Sequence, residues 1–424
     1  MKQILITNGY SDSNKGDLAI TLATIKSIRE LSPESEIILH SVYSKKDPDF
    51  AFHNRFVAEC VDRVEEMVVP SPYITTENAK VLGNFQALLR LIWSLFTMLL
   101  YTLRLGGITR VINHEQYKSL KTFYSADIVI MKGGQYIYND QGAIRGGIYL
   151  FRMLIPLFMR KDLIVLSQSI GPISGFFAKK LARFSLSRAK VILPRELNTN
   201  EFLVDELKIK SQIQIIPDMA FYFSEKNTIK IENNTSNYLG VTVVNWYFPD
   251  KIDPAKARED YAEEMAAAIS KLSLSRNMEV KFIPQVTVKH HGESDLDMID
   301  AIAKKLDAGV RFCILKKDLS IDEILSEYKS CKLLIGTRLH SCILAACVST
   351  PVLAIRYQGY KTQGIMSSLG LSKYVLDINS VSKEDILILA NELIDNGKLI
   401  SKQIGDKTGS KRNEIVSELS KLLH

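Results

Sequence analysis

Short β-branched runs alternate with helix-period stretches from the first residues onward. Gln3 to Thr7 reads as a strand, Asp17 to Leu31 as a helix and Glu36 to Ser41 as a second strand. Within the helix, Leu18, Leu22, Ile25, Ile28 and Leu31 recur at spacings of four and three, one apolar stripe suited to the face of a sheet. Further strands are predicted at Val64 to Val69, Asp127 to Met131, Leu163 to Ser167, Lys190 to Leu193 and Ile213 to Ile216. This alternation implies βαβ units and a parallel sheet. From Ser224 to Asn237 the chain turns polar, and the apolar run Tyr238 to Trp246 then restarts the same plan. Strands follow near Val280 to Pro284, Val310 to Leu315, Leu333 to Ile335, Val352 to Ile355 and Val375 to Ile378. The predicted class is α/β with two doubly wound, Rossmann-like domains, residues 1–225 and 238–400, and a helix within 401–424. Open parallel sheets bind ligands at the carboxyl ends of their strands, so two facing sheets would place a cleft between those edges.

Composition narrows the class. A chain of 424 residues exceeds one ordinary core, and charged residues at 24% with hydrophobic ones at 46% exclude both disorder and a polytopic membrane protein. Lys plus Arg (54) exceeds Asp plus Glu (47) by seven, which favours anionic small molecules or acidic lipid and falls short of a nucleic-acid footprint. Five cysteines without a CxxC pair, and a start that lacks a secretory apolar region, give a cytoplasmic expectation. Leu88 to Leu105 is almost continuously apolar between Arg90 and Arg104 but too short to span a bilayer. A buried core helix is the simpler reading; the basic flanks leave open an anchor at the inner face of a membrane.

The strongest chemical signal is Gly336-Thr337-Arg338-Leu339-His340-Ser341, a strand-to-helix turn at the carboxyl edge of the second sheet. A helix N-terminus favours an anion, Arg338 adds a planar fork for carboxylate or phosphate, and His340 adds a group that moves a proton near neutral pH. A salt-bridged arginine and a packed histidine are the bland alternative; three features converging at one turn favour a site. Lys361 follows the next strand at the same edge. In the first half, Asn14-Lys15-Gly16-Asp17, Gly133-Gly134, Gln168 with Gly171-Pro172, and Arg195-Glu196 all follow strands, with Asn14 or Asp17 as the helix cap. Asp295-Leu296-Asp297 imitates a metal motif but reads as helix-start acids, and His290-His291 would point to opposite faces of a strand. No metal is expected.

Together, Asn14-x-Gly16-Asp17-x-Ala19, Gly133-Gly134, Ser169-Ile170-Gly171-Pro172, Arg195-Glu196, Pro217-Asp218 and Gly336-Thr337-Arg338-Leu339-His340 with Pro351 and Lys361 resemble the polysaccharide pyruvyl transferase family, which is similar to two-Rossmann-domain (GT-B) glycosyltransferases. The chain departs from that pattern with Glu196 where an aspartate is usual and with Gln358-Gly359-Tyr360 before Lys361. The resemblance implies transfer of the enolpyruvyl unit of phosphoenolpyruvate onto two hydroxyls of a sugar as a cyclic ketal, in capsule or exopolysaccharide synthesis, without a cofactor. It implies His340 as proton donor, Arg338, Lys361 and Arg195 as donor-binding cations, and Asp17 or Asp218 as candidate bases. Asn14, Gly16, Gly133, Gly134 and Gln168 would line the acceptor side, a lipid-linked oligosaccharide being one acceptor that fits. The C-terminal helix would pack back on the first domain. Two alternatives stay open: a glycosyltransferase with a nucleotide-sugar donor, and a non-catalytic sugar- or anion-binding protein.

Overall fold

A computed structural model describes residues 1–68, 89, 92–93, 96–97, 99, 101, 103, 112–138, 143–225, 237–287, 294–315, 318–359 and 361–423, the stretch 143–148 by its backbone alone. The chain divides into two compact units: Met1–Asp12, Ile20–Met219 and Ile415–His424 form the first, and Ser13–Ala19 with Ala220–Glu414 the second. The helix Lys15–Leu31 therefore begins in one unit and continues in the other.

The first unit holds β1 (Gln3–Gly9), β2 (Glu36–Ser41), β3 (Arg63–Glu66), β4 (Ile128–Met131), β5 (Gly134–Ile137), β6 (Asp162–Ile170), β7 (Val191–Pro194) and β8 (Gln212–Ile213). The strands run in the order β3-β2-β1-β4-β6-β7-β8, with β5 beside β6, and every pairing is parallel. Ile4, Leu5, Ile6 and Ile128 to Met131 are all buried, as a sheet covered on both faces requires, which is why these strands read as continuous apolar runs. The helices His114–Ser125, Ala143–Phe158 and Phe176–Leu186 cover one face: Leu120, Phe123, Leu150, Met153, Ala182 and Leu186 share a core with Val129, Met131, Leu163 and Val165.

In the second unit β9 (Tyr238–Thr242), β10 (Glu279–Phe282), β11 (Phe312–Ile314), β12 (Cys331–Gly336), β13 (Val352–Arg356) and β14 (Val375–Asp377) run β11-β10-β9-β12-β13-β14, again parallel throughout. Several of its helices start on side-chain caps. Asp253 accepts from the Lys256 N–H, and Ser320 with Glu323 closes a reciprocal capping box. In both sheets the strand order reverses beside the first strand, at β1/β4 and at β9/β12, and that reversal opens a crevice at the carboxyl edge.

Several boundaries differ from the sequence expectation. β9 stops at Thr242, four residues short of Trp246, after which Val243 and Val244 stay buried without joining the ladder. The expected Gly133-Gly134 turn is followed at once by β5, an unforeseen strand: Gly134, at φ 144, turns the chain alongside β6 and pairs with Gln168. Val69 and the His290-His291 pair lie outside the described residues.

Candidate functional site

The reversal in the second sheet places the Gly336 end of β12 beside the Thr242 end of β9, and the Thr337 N–H donates to the Thr242 carbonyl at 3.0 Å. The chain then turns through Arg338, whose extended backbone caps the helix Leu339–Cys347. Two hydroxyl pairs brace the turn from below. Tyr261 Oη lies 2.9 Å from Thr337 Oγ1, and Thr242 Oγ1 lies 2.7 Å from Ser341 Oγ. Burial pushes the Tyr261 phenol well above its ordinary range, so it remains a neutral hydrogen-bonding group. Ser341 Oγ also donates to the Arg338 carbonyl at 2.6 Å.

The Arg338 guanidinium is held by Asp295. Nε and Nη2 both donate to Asp295 Oδ1, at 3.1 and 2.6 Å, while Oδ2 accepts the backbone N–H groups of Gln285 and Val286 at 2.9 and 3.0 Å. Burial pushes the Asp295 carboxyl up, and Arg338 and the two backbone donors act against that. A carboxylate with this many charge-assisted bonds fixes the plane of the arginine fork. The Tyr357 ring stands 5.9 Å from the guanidinium carbon and 5.0 Å from the ring of Trp246.

Ser13–Ala19 enters the same unit. Asn14 bridges to Val286, and the Lys15 N–H donates to the Gln285 carbonyl at 2.9 Å. Asn14 Oδ1 caps the helix by accepting the N–H groups of Gly16 and Asp17 at 3.1 and 3.3 Å, which makes Asn14 rather than Asp17 the cap. Lys15 is buried and forms an ion pair with Asp318. Gly16 lies under the imidazole of His340: a Cβ there would stand 2.5 Å from Nδ1 and 2.9 Å from Cγ. Asn14, Gly16, Asp17, Arg338 and His340 thus share one unit, and Lys361 opens the helix Lys361–Ser368 after β13 in that unit, half-buried. The neighbouring Cys342 is no nucleophile, because burial pushes its thiol up to about 12.

Gly133, Gly134, Gln168 and Arg195 form a separate group at the carboxyl edge of the first sheet. Gln168 Nε2 donates to the Lys132 carbonyl, and its Oε1 has no partner among the described residues. Gly133 is closely packed, since a Cβ there would crowd Ile20 and the Ser167 carbonyl, each at 3.0 Å. Arg195 donates from Nε to Ser169 Oγ at 2.7 Å and from Nη1 to Asp218 Oδ2 at 2.6 Å, so Asp218 is an ion-pair acceptor in a buried pair. Each sheet therefore presents at its carboxyl edge an arginine fixed by an aspartate.

Sequence reasoning missed Asp295, Lys15, Asp318 and Gln285. Asp295 does open the helix Asp295–Ala303 behind the Ser294 cap, as the helix-start reading has it. Its second role, toward Arg338, has no local signature. Two acids on the helix before β12 are engaged locally: Glu323 closes the capping box on Ser320, and Glu327 pairs with Lys281 at 2.7 Å.

The sequence model described as polysaccharide pyruvyl transferase matches residues 14–359. The amylovoran biosynthesis protein AmsJ of Erwinia amylovora is 24% identical over 310 residues, covering 70% of this chain and 72% of that protein. Among solved structures, a putative UDP-N-acetylglucosamine 2-epimerase from Listeria monocytogenes matches with a TM-score of 0.56 at 15% identity, covering 99% of this chain and 96% of its own. HepE from Anabaena, solved in complex with UDP, matches with a TM-score of 0.54 at 11% identity, covering 100% and 98%. At such identities the two structures speak to the fold alone, and they bear out two parallel α/β sheets of the GT-B kind.

Proposed function

Because the chain belongs to the polysaccharide pyruvyl transferase family, we propose that it transfers the enolpyruvyl unit of phosphoenolpyruvate onto two hydroxyls of a saccharide, forming a cyclic ketal in polysaccharide biosynthesis. The observation that carries the reading is the Asp295-held fork of Arg338 beside the His340 imidazole, at the strand-order reversal of the second sheet. Protonation of the donor methylene carbon by His340 makes C2 electrophilic, and the first saccharide hydroxyl adds there. The C–O bond to phosphate then breaks, the second hydroxyl closes the ring, and of the two hydroxyl protons one replaces the proton spent on the new methyl group while the other leaves on phosphate. Charge gathers on the departing phosphate, so preset cations lower that barrier most. Arg338 and Lys361 are assigned to the phosphate and carboxylate of the donor. Arg195, fixed by Asp218, is the further cation of the first unit. Asp17, half-buried in the turn that His340 covers, is assigned to take the acceptor proton. The residues call for no metal or cofactor in any of these steps.

A second reading, glycosyl transfer from a nucleotide sugar, has one observation on its side: the Trp246–Tyr357 pair beside Arg338 offers a stacking platform for a base. Supplying the protein with phosphoenolpyruvate and lipid-linked saccharides separates the two. Pyruvyl transfer gives phosphate release together with an acceptor heavier by pyruvate less water. Release of nucleoside diphosphate from a nucleotide sugar, with phosphoenolpyruvate inert on the same acceptors, would sink the pyruvyl reading.

A further inference from the structure

In the segment Leu88–Leu105 most of the described apolar side chains lie outside the core. Its described residues are helical except Leu103, which lies in a turn bonded back to Leu99, and Leu89, Ile92, Trp93, Phe96, Leu99 and Leu103 are between 40% and 59% exposed. At 3.6 residues per turn their spacings confine them to an arc of about 120°. Thr97 is buried, and Tyr101 packs against the core of the first unit, edge-on to Tyr117 and Tyr124 at 5.9 and 6.0 Å. The helix is thus docked by Thr97 and Tyr101 and turns an aliphatic and aromatic face outward. A second apolar feature stands on another helix of the same layer, where Phe176 and Phe177 are 73% and 84% exposed. Cations sit among these side chains. Lys161 Nζ lies 5.5 Å from the ring of Tyr124, Lys180 Nζ lies 5.8 Å from that of Phe176, and Arg188 lies 3.7 Å from that of Phe184. Acids are missing from both stretches: the sequence has none between Glu77 and Glu115, nor between Asp162 and Glu196.

We infer that this helical face of the first unit docks on an anionic lipid bilayer. Leu, Ile, Trp and Phe on one arc of a helix, with basic side chains around them and acids excluded, is the arrangement that lies in the plane of a membrane interface. No described helix is long and apolar enough to cross a membrane, which agrees with a surface contact. A second copy of the chain is the poorer occupant, because a two-fold contact would bring these cations against themselves. The inference rests on the first unit alone and is independent of the donor chemistry.

Flotation with phosphatidylglycerol-containing vesicles, against pure phosphatidylcholine vesicles, tests it on the full chain. The protein is expected to float with the anionic vesicles and to do so about tenfold less with the neutral ones. Trp93→Glu with Phe96→Glu, and separately Phe176→Ser with Phe177→Ser, should each lower flotation by about tenfold or more. All four side chains are exposed, so circular dichroism should be unchanged, and the Phe176/Phe177 variant reads out even if the first fails to fold. Absence of flotation by the wild type, equal flotation of folded variants, or sedimentation showing a dimer that Trp93→Glu dissociates, would overturn the inference.

Discussion

The imidazole of His340 rests on the backbone of Gly16, in space that a methyl group would fill to within 2.5 Å of Nδ1. Glycine is a poorer helix former than alanine, so its presence at the start of this helix calls for a packing reason, and the ring supplies one. Gly16→Ala is expected to push the imidazole aside by about 1 Å and to lower turnover about a hundredfold, the usual effect of such a misplacement. Thermal stability should change little, because alanine suits the helix better than glycine does. Steady-state rates with a melting curve check both halves; normal turnover would detach His340 from the chemistry.

The Asp295–Arg338 pair makes an asymmetric prediction. Arg338→Ala leaves a buried carboxylate with only two backbone donors, and should destabilise by about 3–5 kcal/mol at pH 8. Burial already pushes this carboxyl up, and loss of the cation raises it further. A folded pKa above the unfolded one gives stability that is present below the unfolded value and is lost as pH rises through the folded one. Arg338→Ala should therefore recover stability toward pH 5, whereas Asp295→Asn, which leaves no charge buried at that position, should show no such recovery. Urea unfolding of both variants at pH 5 and pH 8 measures the difference.

In the first unit Glu65 gives an acid limb of opposite sign. Although its burial opposes ionisation, the adjacent His40 ring, the Thr122 hydroxyl and the Lys118 ammonium bring its carboxyl down to about 2. His40 Nε2 lies 3.4 Å away and Thr122 Oγ1 donates at 2.8 Å. With the folded pKa depressed, the contribution is fully present above the unfolded pKa near 4.5 and is lost as pH falls from there toward 2. Glu65→Gln should flatten that limb by on the order of 2 kcal/mol, as denaturation curves between pH 3 and pH 6 would record.

How far the sequence reaches is clear from particular residues. The parallel strands are legible because both faces are buried, so Leu333 to Ile335 and Val352 to Ile355 carry their identity in three or four letters. The Gly336–His340 turn is legible because strand, glycine, arginine and apolar helix follow within a dozen residues. The partner of Arg338 is not: Asp295 lies 43 residues away on another element, and its own neighbourhood is explained by the Ser294 cap. The grouping of Ser13–Ala19 with the second unit is equally silent, since Lys15 finds Asp318 across 303 residues. For Leu88–Leu105 hydropathy alone leaves the orientation of the described residues open. Apolar letters suggest a core, but only packing tells which arc of the helix meets it, and that arc is carried by Thr97 and Tyr101.

The roles assigned to Arg338 and His340 differ in kind, and two measurements on two variants separate them. Arg338 is fixed before any ligand arrives by two bonds to Asp295, so its contribution is present in the ground-state complex as well as later. As the proposed proton donor, His340 would act only when a proton moves to the donor carbon, a step that binding alone does not require. Phosphoenolpyruvate should raise the melting temperature of the wild type by linkage to the folded state, and nucleotide sugars should do so less. Arg338→Ala should lose that shift. His340→Ala should keep most of it while turnover falls by about 10² to 10⁴, the range of a positioned general acid. If His340→Ala abolished the thermal shift and left the rate per bound donor intact, the imidazole would be a binding group and the proton would have to come from elsewhere, with Asp17 in the adjoining turn as the first group to test.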